Sequence, residues 1–166
     1  MSGLQHRIEA LMALLPPVLH RIALRRAHHL RTVWWRVRRP QVEGVRVLAL
    51  DAGGRVLLVR HSYGPDSWMP PGGGVARGED PLPAGARELF EELGCTLAQA
   101  QLADTTLDTL HGAGNLVHVV IGRCEGEPVP DRREIIAAEF FALDALPDNL
   151  ARGLAEGLPR WLERGR

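Results

Sequence analysis

Three glutamates, Glu88, Glu91 and Glu92, fall within about one turn of a segment whose apolar residues recur at helical spacing. On a helical wheel they gather on the side opposite the apolar residues, which indicates that they face away from the core. Like charges at this spacing destabilise an isolated helix, so we expect a cation to compensate them. Because the donors are all oxygens, the expected cation is Mg²⁺ or Mn²⁺, which keeps several waters and also takes phosphate oxygens as ligands.

A glycine run, Gly72-Gly73-Gly74, lies shortly before the glutamates. Glycine lets the backbone approach an ion or a phosphate closely, because no side chain intervenes. We therefore predict that Gly73 and Gly74 contact a phosphate-containing substrate through their peptide groups.

The helix that carries the glutamates is predicted to span about residues 81–93. Asp80 precedes it and can accept a hydrogen bond from an unpaired amide of the first turn. Pro81 suits the first helical turn, and Gly94 is the expected stop residue.

Strands are predicted before and after this helix, and a second helix closes the chain. The predicted strands are residues 44–50 and 56–59, which form a hairpin, then 97–108, 115–124 and 139–142. Residues 61–78, rich in glycine and proline, are predicted to be a loop, and a last helix is predicted over about 149–163. This order favours the α/β class, with a mixed sheet covered by helices on both faces.

The residues from Gly73 to Cys95 also match a known signature. Gly73, five residues, Glu79, seven residues and then Arg87-Glu88-Leu89-Phe90-Glu91-Glu92-Leu93-Gly94-Cys95 resemble the Nudix box at every fixed position over 23 contiguous residues. The resemblance implies a Nudix-type α/β/α sandwich with a mixed β-sheet. It also implies hydrolysis of a nucleoside diphosphate linked to another moiety, in which water attacks phosphorus under metal activation.

The resemblance assigns roles to residues of the box. It implies that Glu88 and Glu92 are the main ligands of Mg²⁺ or Mn²⁺, that Glu91 shares a second or third ion, and that the carbonyl of Gly72 is a further ligand.

Arg87 and Glu79 resemble the internal ion pair of the box, which aims the helix carboxylates and holds the loop against the helix. Family members differ in which carboxylate takes the proton of the attacking water. Glu88 and Glu134 are the candidates here, and the sequence favours Glu88.

Four residues at the end of the second predicted strand and in the loop after it are candidates for contacting the substrate. Trp68 is expected either to stack on a base or to pack in the core, and His61 and Tyr63 to line the same pocket. Arg60 is expected to reach a phosphate, or else to be a solvated charge at a strand end.

The charge of the chain is unevenly distributed although the total is zero. Residues 1–45 hold eight arginines against two glutamates, a net charge of +6, so the remainder carries −6. We predict two parts: a basic helical N-terminal extension (residues 1–42) and a Nudix hydrolase domain with a C-terminal helix (residues 43–166). The extension is expected to pack on the hydrolase domain or on a sister subunit in a homodimer, or to lie on an anionic membrane surface.

The overall composition predicts the partners and the compartment. The balance of charge gives no reason to expect a specific nucleic-acid partner, so a small nucleotide-like diphosphate is the expected substrate. Two cysteines are too few for a disulfide framework, which favours a reduced, cytoplasmic protein. Two alternatives to a hydrolase remain open on the same fold: a diphosphate isomerase and a non-catalytic nucleotide-binding regulator.

Overall fold

The computed structural model describes residues 42–110 and 113–165. Within them the elements follow the predicted order: β1 (Val42–Leu50), β2 (Val56–His61), α1 (Pro81–Leu93), β3 (Thr96–Leu110), β4 (Ala113–Glu125), β5 (Ile135–Phe141) and α2 (Leu154–Arg164). The predicted N-terminal extension lies outside the described residues up to residue 41 and stays a prediction. No helix of the described part is long and apolar enough to cross a membrane.

The five strands form one sheet in the order β3-β4-β1-β2-β5. β1 pairs parallel with β4 and antiparallel with β2, which confirms the predicted hairpin, and the other neighbouring pairs are antiparallel. The sheet is therefore mixed, as predicted. Residues 56–59 of β2 are all buried, because this strand has a neighbour on each side and is covered on both faces.

The two helices cover opposite faces of the sheet. Val45 and Val47 of β1 pack in one core with Leu89 of α1. Leu48, which points to the other face of the same strand, packs with Leu158 of α2. The predicted α/β/α sandwich is thereby confirmed.

The last helix begins later than predicted. Its predicted start at about residue 149 is wrong, since α2 begins at Leu154. The backbone before it is bonded to the loop instead: Trp68 N donates to Asn149 O at 2.9 Å, and Ala151 N donates to Trp68 O at 2.8 Å. Peptide groups engaged in this way cannot take part in a helix.

The last strand begins earlier than predicted. The expected strand over residues 139–142 spans Ile135–Phe141 instead. It pairs antiparallel with β2 along that strand's whole length, from Val56 opposite Phe141 to His61 opposite Ile135. This longer pairing places the residue before it, Glu134, beside the end of β2.

Candidate active site

The glycine loop is held against the start of β1. Val45 N donates to Gly73 O at 2.9 Å, and Val75 N donates to Glu43 O at 3.1 Å. Gly72 has a φ of 150°, and a Cβ there would lie 2.1 Å from the carbonyl oxygen of Val45. Glycine is therefore required at this position both by its conformation and by the close approach of β1.

The carboxylate of Glu88 fills the space beside Gly73. A Cβ at Gly73 would lie 2.4 Å from Glu88 Oε2. The loop backbone and the helix carboxylate are thus in direct contact, which brings together two of the features predicted to bind metal and phosphate.

Helix α1 begins and ends as its sequence predicts. Asp80 Oδ1 accepts a hydrogen bond from Leu82 N at 2.9 Å. At the other end Gly94 adopts the left-handed conformation, with a φ of 70°, and its N–H donates to Phe90 O. These two caps fix the length of α1 and hence the position of its glutamates.

Arg87 connects the glutamates of the box to one another and to the loop. Its guanidinium lies 2.7 Å from Glu88 Oε1, 3.3 Å from Glu79 Oε1 and 3.4 Å from Glu91 Oε2. It also donates to Gly74 O at 3.2 Å. The predicted pairing of Arg87 with Glu79 is therefore present in the structure.

The ion pairs of Arg87 shift the pKa of Glu79 and that of Arg87 itself. A hydrogen bond from Ala76 N, at 2.7 Å, and the bonds from Arg87 hold the pKa of Glu79 below its usual value. The pKa of Arg87 itself is raised, because its bonds to Glu79 and Glu88 outweigh the opposing effect of burial. The pair is therefore fully charged at neutral pH.

Glu92 is buried, with only 7% of its surface exposed. Gly72 N donates to its Oε2 at 3.3 Å. Burial raises the pKa of Glu92 to about 9, and repulsion by Glu134 and Glu88 adds to the effect. Burial likewise raises the pKa of Glu88, against the influence of Arg87.

These carboxylates suit a divalent cation in their chemistry. They offer only oxygen donors, Glu92 is buried and Glu88 half-buried while Glu91 is exposed, and a bound cation would relieve their mutual repulsion. However, no three acidic, histidine or cysteine side chains in residues 42–110 and 113–165 already converge as a metal site. Arg87 holds Glu88, and Gly72 N–H holds Glu92. The predicted ligand set of Gly72, Glu88, Glu91 and Glu92 therefore stays a prediction.

Glu134 lies on a separate loop, near enough to the helix glutamates for its charge to act on them. It contributes to the raised pKa of both Glu88 and Glu92, which places its charge close to theirs. The loop is anchored by Asp131, whose Oδ1 accepts from the N–H groups of three residues, Arg133, Glu134 and Ile135, at 2.9 to 3.0 Å. Asp131 was not predicted, although an aspartate just before a strand is typical of such a turn.

The end of β2 anchors the same loop. Ser62 N donates to Glu134 O at 2.8 Å, and Ser62 Oγ donates to Arg133 O at 2.7 Å. The hydroxyl of Tyr63 donates to Glu134 Oε1. Sequence reasoning did not predict the role of Ser62, because a single serine before a glycine-rich loop carries no distinctive signal.

A polar cavity of about 540 Å³ adjoins this loop and is lined by residues 60–66 and Ile136. It contains the predicted substrate residues Arg60 and His61. Tyr63 also lines the cavity, with its ring 5.2 Å from that of His61, and its hydroxyl contacts Glu134, so it lies between the cavity and that carboxylate.

Trp68, the other predicted substrate residue, packs in the core. It is 8% exposed, and its ring lies 4.9 Å from Phe141, edge to face. The guanidinium of Arg60 lies 5.6 Å from its ring centroid, and Arg60 Nε lies 3.3 Å from Asp66 Oδ1. Trp68 was expected either to stack on a base or to pack in the core, and the structure places it in the core. There its ring contacts the guanidinium of Arg60, which lines the cavity.

A family model described as NUDIX domain matches residues 40–163 of the chain. An RNA pyrophosphohydrolase of Rhodospirillum rubrum is 40% identical over 55 residues, which are 33% of this chain and 33% of that protein. An m7GpppN-mRNA hydrolase of Xenopus laevis is 47% identical over 60 residues, 34% of this chain and 20% of that protein. The chain thus aligns with a third or less of the length of these curated relatives.

The fold resembles that of solved structures over a longer range. A MutT NUDIX hydrolase from Burkholderia pseudomallei superposes with a TM-score of 0.65 and is 28% identical. The match covers 72% of this chain and 97% of that one. This match covers a larger share of the chain than the alignments with the two curated relatives do.

Proposed function

The chain belongs to the Nudix family, and we propose that it is a hydrolase that cleaves a diphosphate linkage in a nucleoside diphosphate joined to another moiety. The observation that carries the proposal is the contact between the glycine loop and the glutamates of α1. Gly73 touches the carboxylate of Glu88, Gly72 N–H bonds to Glu92, and Arg87 links the glutamates to Gly74.

Different residues of the Nudix box would bind the metal and orient its ligands. Glu88, Glu91 and Glu92, with the Gly72 carbonyl, would hold Mg²⁺ or Mn²⁺, which supplies charge neutralisation of the diphosphate and a lower pKa for coordinated water. Arg87 fixes the direction of the glutamate side chains through Glu79 and the loop.

The proton of the attacking water requires a carboxylate acceptor. Glu88 Oε1 is ion-paired with Arg87 at 2.7 Å, and the proposed metal would take its other oxygen, Oε2, which lies beside Gly73. Glu134, on a separate loop, lies close enough for its charge to raise the pKa of both Glu88 and Glu92. We therefore assign the proton-accepting role to Glu134 in place of Glu88, which the sequence favoured.

The cavity beside Glu134 is suited to the part of the substrate beyond the diphosphate. Its lining is polar and contains one cation, Arg60, held between Trp68 and Asp66. His61 and Tyr63 provide ring surfaces. A ribose, a sugar or a further phosphate fits this chemistry better than a large apolar group does.

The test is product release from a panel of nucleoside diphosphate sugars, ADP-ribose, nucleoside triphosphates, dinucleoside polyphosphates and triphosphorylated or capped RNA. The RNA compounds are included because of the names of the two curated relatives. We expect turnover of at least one class with Mg²⁺ or Mn²⁺ and its loss on chelation. Glu92→Gln is expected to remove most of the activity. The matched control is Glu163→Gln, which changes an exposed glutamate of α2.

Each outcome of the panel has a separate meaning. Turnover that survives chelation would contradict the metal-dependent mechanism. Binding without turnover of any compound would contradict the hydrolase and support the nucleotide-binding regulator, while rearrangement of an isoprenoid diphosphate would support the isomerase.

A further inference from the structure

The carboxylate of Glu134 must be held in place if it is to accept a proton beside the helix glutamates. Its charge lies close to those of Glu88 and Glu92, and like charges push a flexible carboxylate outward to solvent. The backbone of Glu134 is fixed by Ser62 and Asp131, but these bonds hold the peptide groups and not the carboxylate.

The hydroxyl of Tyr63 supplies that restraint by donating a hydrogen bond to Glu134 Oε1. A phenol bonded to one carboxylate oxygen fixes the rotation of the side chain and leaves the second oxygen to accept a proton. The phenol ring is itself packed against His61, with 5.2 Å between ring centroids. The restraint therefore comes from the segment that follows β2 and not from α1.

From this contact we infer that Tyr63 is a positioning residue, which aims the carboxylate of Glu134 at the attacking water. The inference rests on the proposed hydrolase function. It adds a residue outside the box to the machinery, and one that also forms a wall of the substrate cavity.

The contact itself is tested without any substrate. Tyr63 is the chain's one tyrosine, so protein labelled with [¹³Cζ]tyrosine gives a single tyrosine signal. The signal is expected to move in Glu134→Gln, because a neutral amide replaces the charged acceptor. Glu139→Gln, at an exposed position farther along β5, is the matched control and is expected to leave it in place. An unmoved signal in Glu134→Gln would overturn the contact.

The positioning role is tested by kinetics on the panel compound that turns over fastest. Tyr63→Phe keeps the ring and removes the hydroxyl, so kcat is expected to fall about tenfold while KM changes by less than about twofold. In a Glu134→Gln background the same substitution is expected to have almost no further effect, because Tyr63 acts through Glu134.

Three results would overturn the positioning role. The first is a double variant whose loss of kcat is the product of the two single losses. The second is an effect of Tyr63→Phe on KM alone, and the third is a fall of kcat in Ser62→Ala as large as that in Tyr63→Phe. The last variant loosens the same junction by breaking the bond to Arg133 O, so an equal effect would show that loop displacement is responsible. If no compound turns over although the signal moves, the hydrolase proposal fails and Tyr63 has no reaction to serve, while the contact stands.

Discussion

Replacing Glu92 with glutamine is expected to change how the stability of the metal-free protein depends on pH. The folded protein keeps a proton on Glu92 up to about pH 9, whereas the unfolded chain releases it near the ordinary value of 4.5. Between these values the folded state binds more protons than the unfolded state, so the free energy of unfolding falls as pH rises. Above about pH 9 the fall ends, because both states are then ionised.

The magnitude follows from the size of the pKa difference. Each pH unit between these two pKa values lowers the free energy of unfolding by up to ~1.4 kcal/mol. Between pH 5 and pH 8 the free energy of unfolding therefore falls by about 4 kcal/mol. Glu92 is 7% exposed, so solvent screens this cost very little. Glutamine has nearly the same shape and no charge, so Glu92→Gln is expected to be more stable than the wild type at pH 8 and close to it at pH 5.

The assay is urea unfolding in the presence of a chelator at a series of pH values, with Glu163→Gln as the exposed control. Addition of Mg²⁺ is expected to stabilise the wild type more at pH 8 than at pH 5, because at low pH the ion must displace the proton. Mg²⁺ is expected to raise the free energy of unfolding of Glu92→Gln much less than that of the wild type. Parallel pH curves for wild type and Glu92→Gln would refute the reasoning, since Glu92 would then be ionised in the folded protein.

Three further predictions concern the loop, the last helix and the N-terminal extension. Gly72→Ala is expected to destabilise the fold by about 3 kcal/mol in urea unfolding, because its Cβ would meet the backbone of β1 at a positive φ. Gly73→Ala meets the end of a flexible side chain and should lower kcat with a much smaller loss of stability. Asp104→Ala, which leaves the buried Trp161 Nε1 without its 3.0 Å acceptor, is expected to cost about 1–3 kcal/mol by the same measurement, and an unchanged value would contradict it. Deletion of residues 1–40 is expected to spare turnover but to change sedimentation or recovery with anionic vesicles; a truncated protein that fails to fold would show that the extension belongs to the core.

Local patterns in the sequence predicted the helix that carries the site and the order of the strands. The caps of α1 lie beside the residues they stabilise, and the spacing of Glu88 and Glu92 fixes their common face. The start of α2 could not be predicted in the same way. It depends on the pairing of Trp68 with a backbone segment some eighty residues later, and no local propensity records that pairing. The contact between Tyr63 and Glu134 joins residues 71 positions apart, so no local pattern predicts it either.

Half-buried Glu88 and buried Glu92 are accommodated in two different ways, and neither way requires a bound cation. Glu88 remains beside the charge of Arg87, whose guanidinium lies 2.7 Å away. Glu92, buried deeper, is held by a peptide N–H and keeps a proton instead. A divalent ion bound between them would compete with an arginine for one ligand and with a proton for the other. Competition with the proton depends on pH, so Glu92, the predicted ligand whose pKa is raised to about 9, is the position at which pH would mainly control metal affinity.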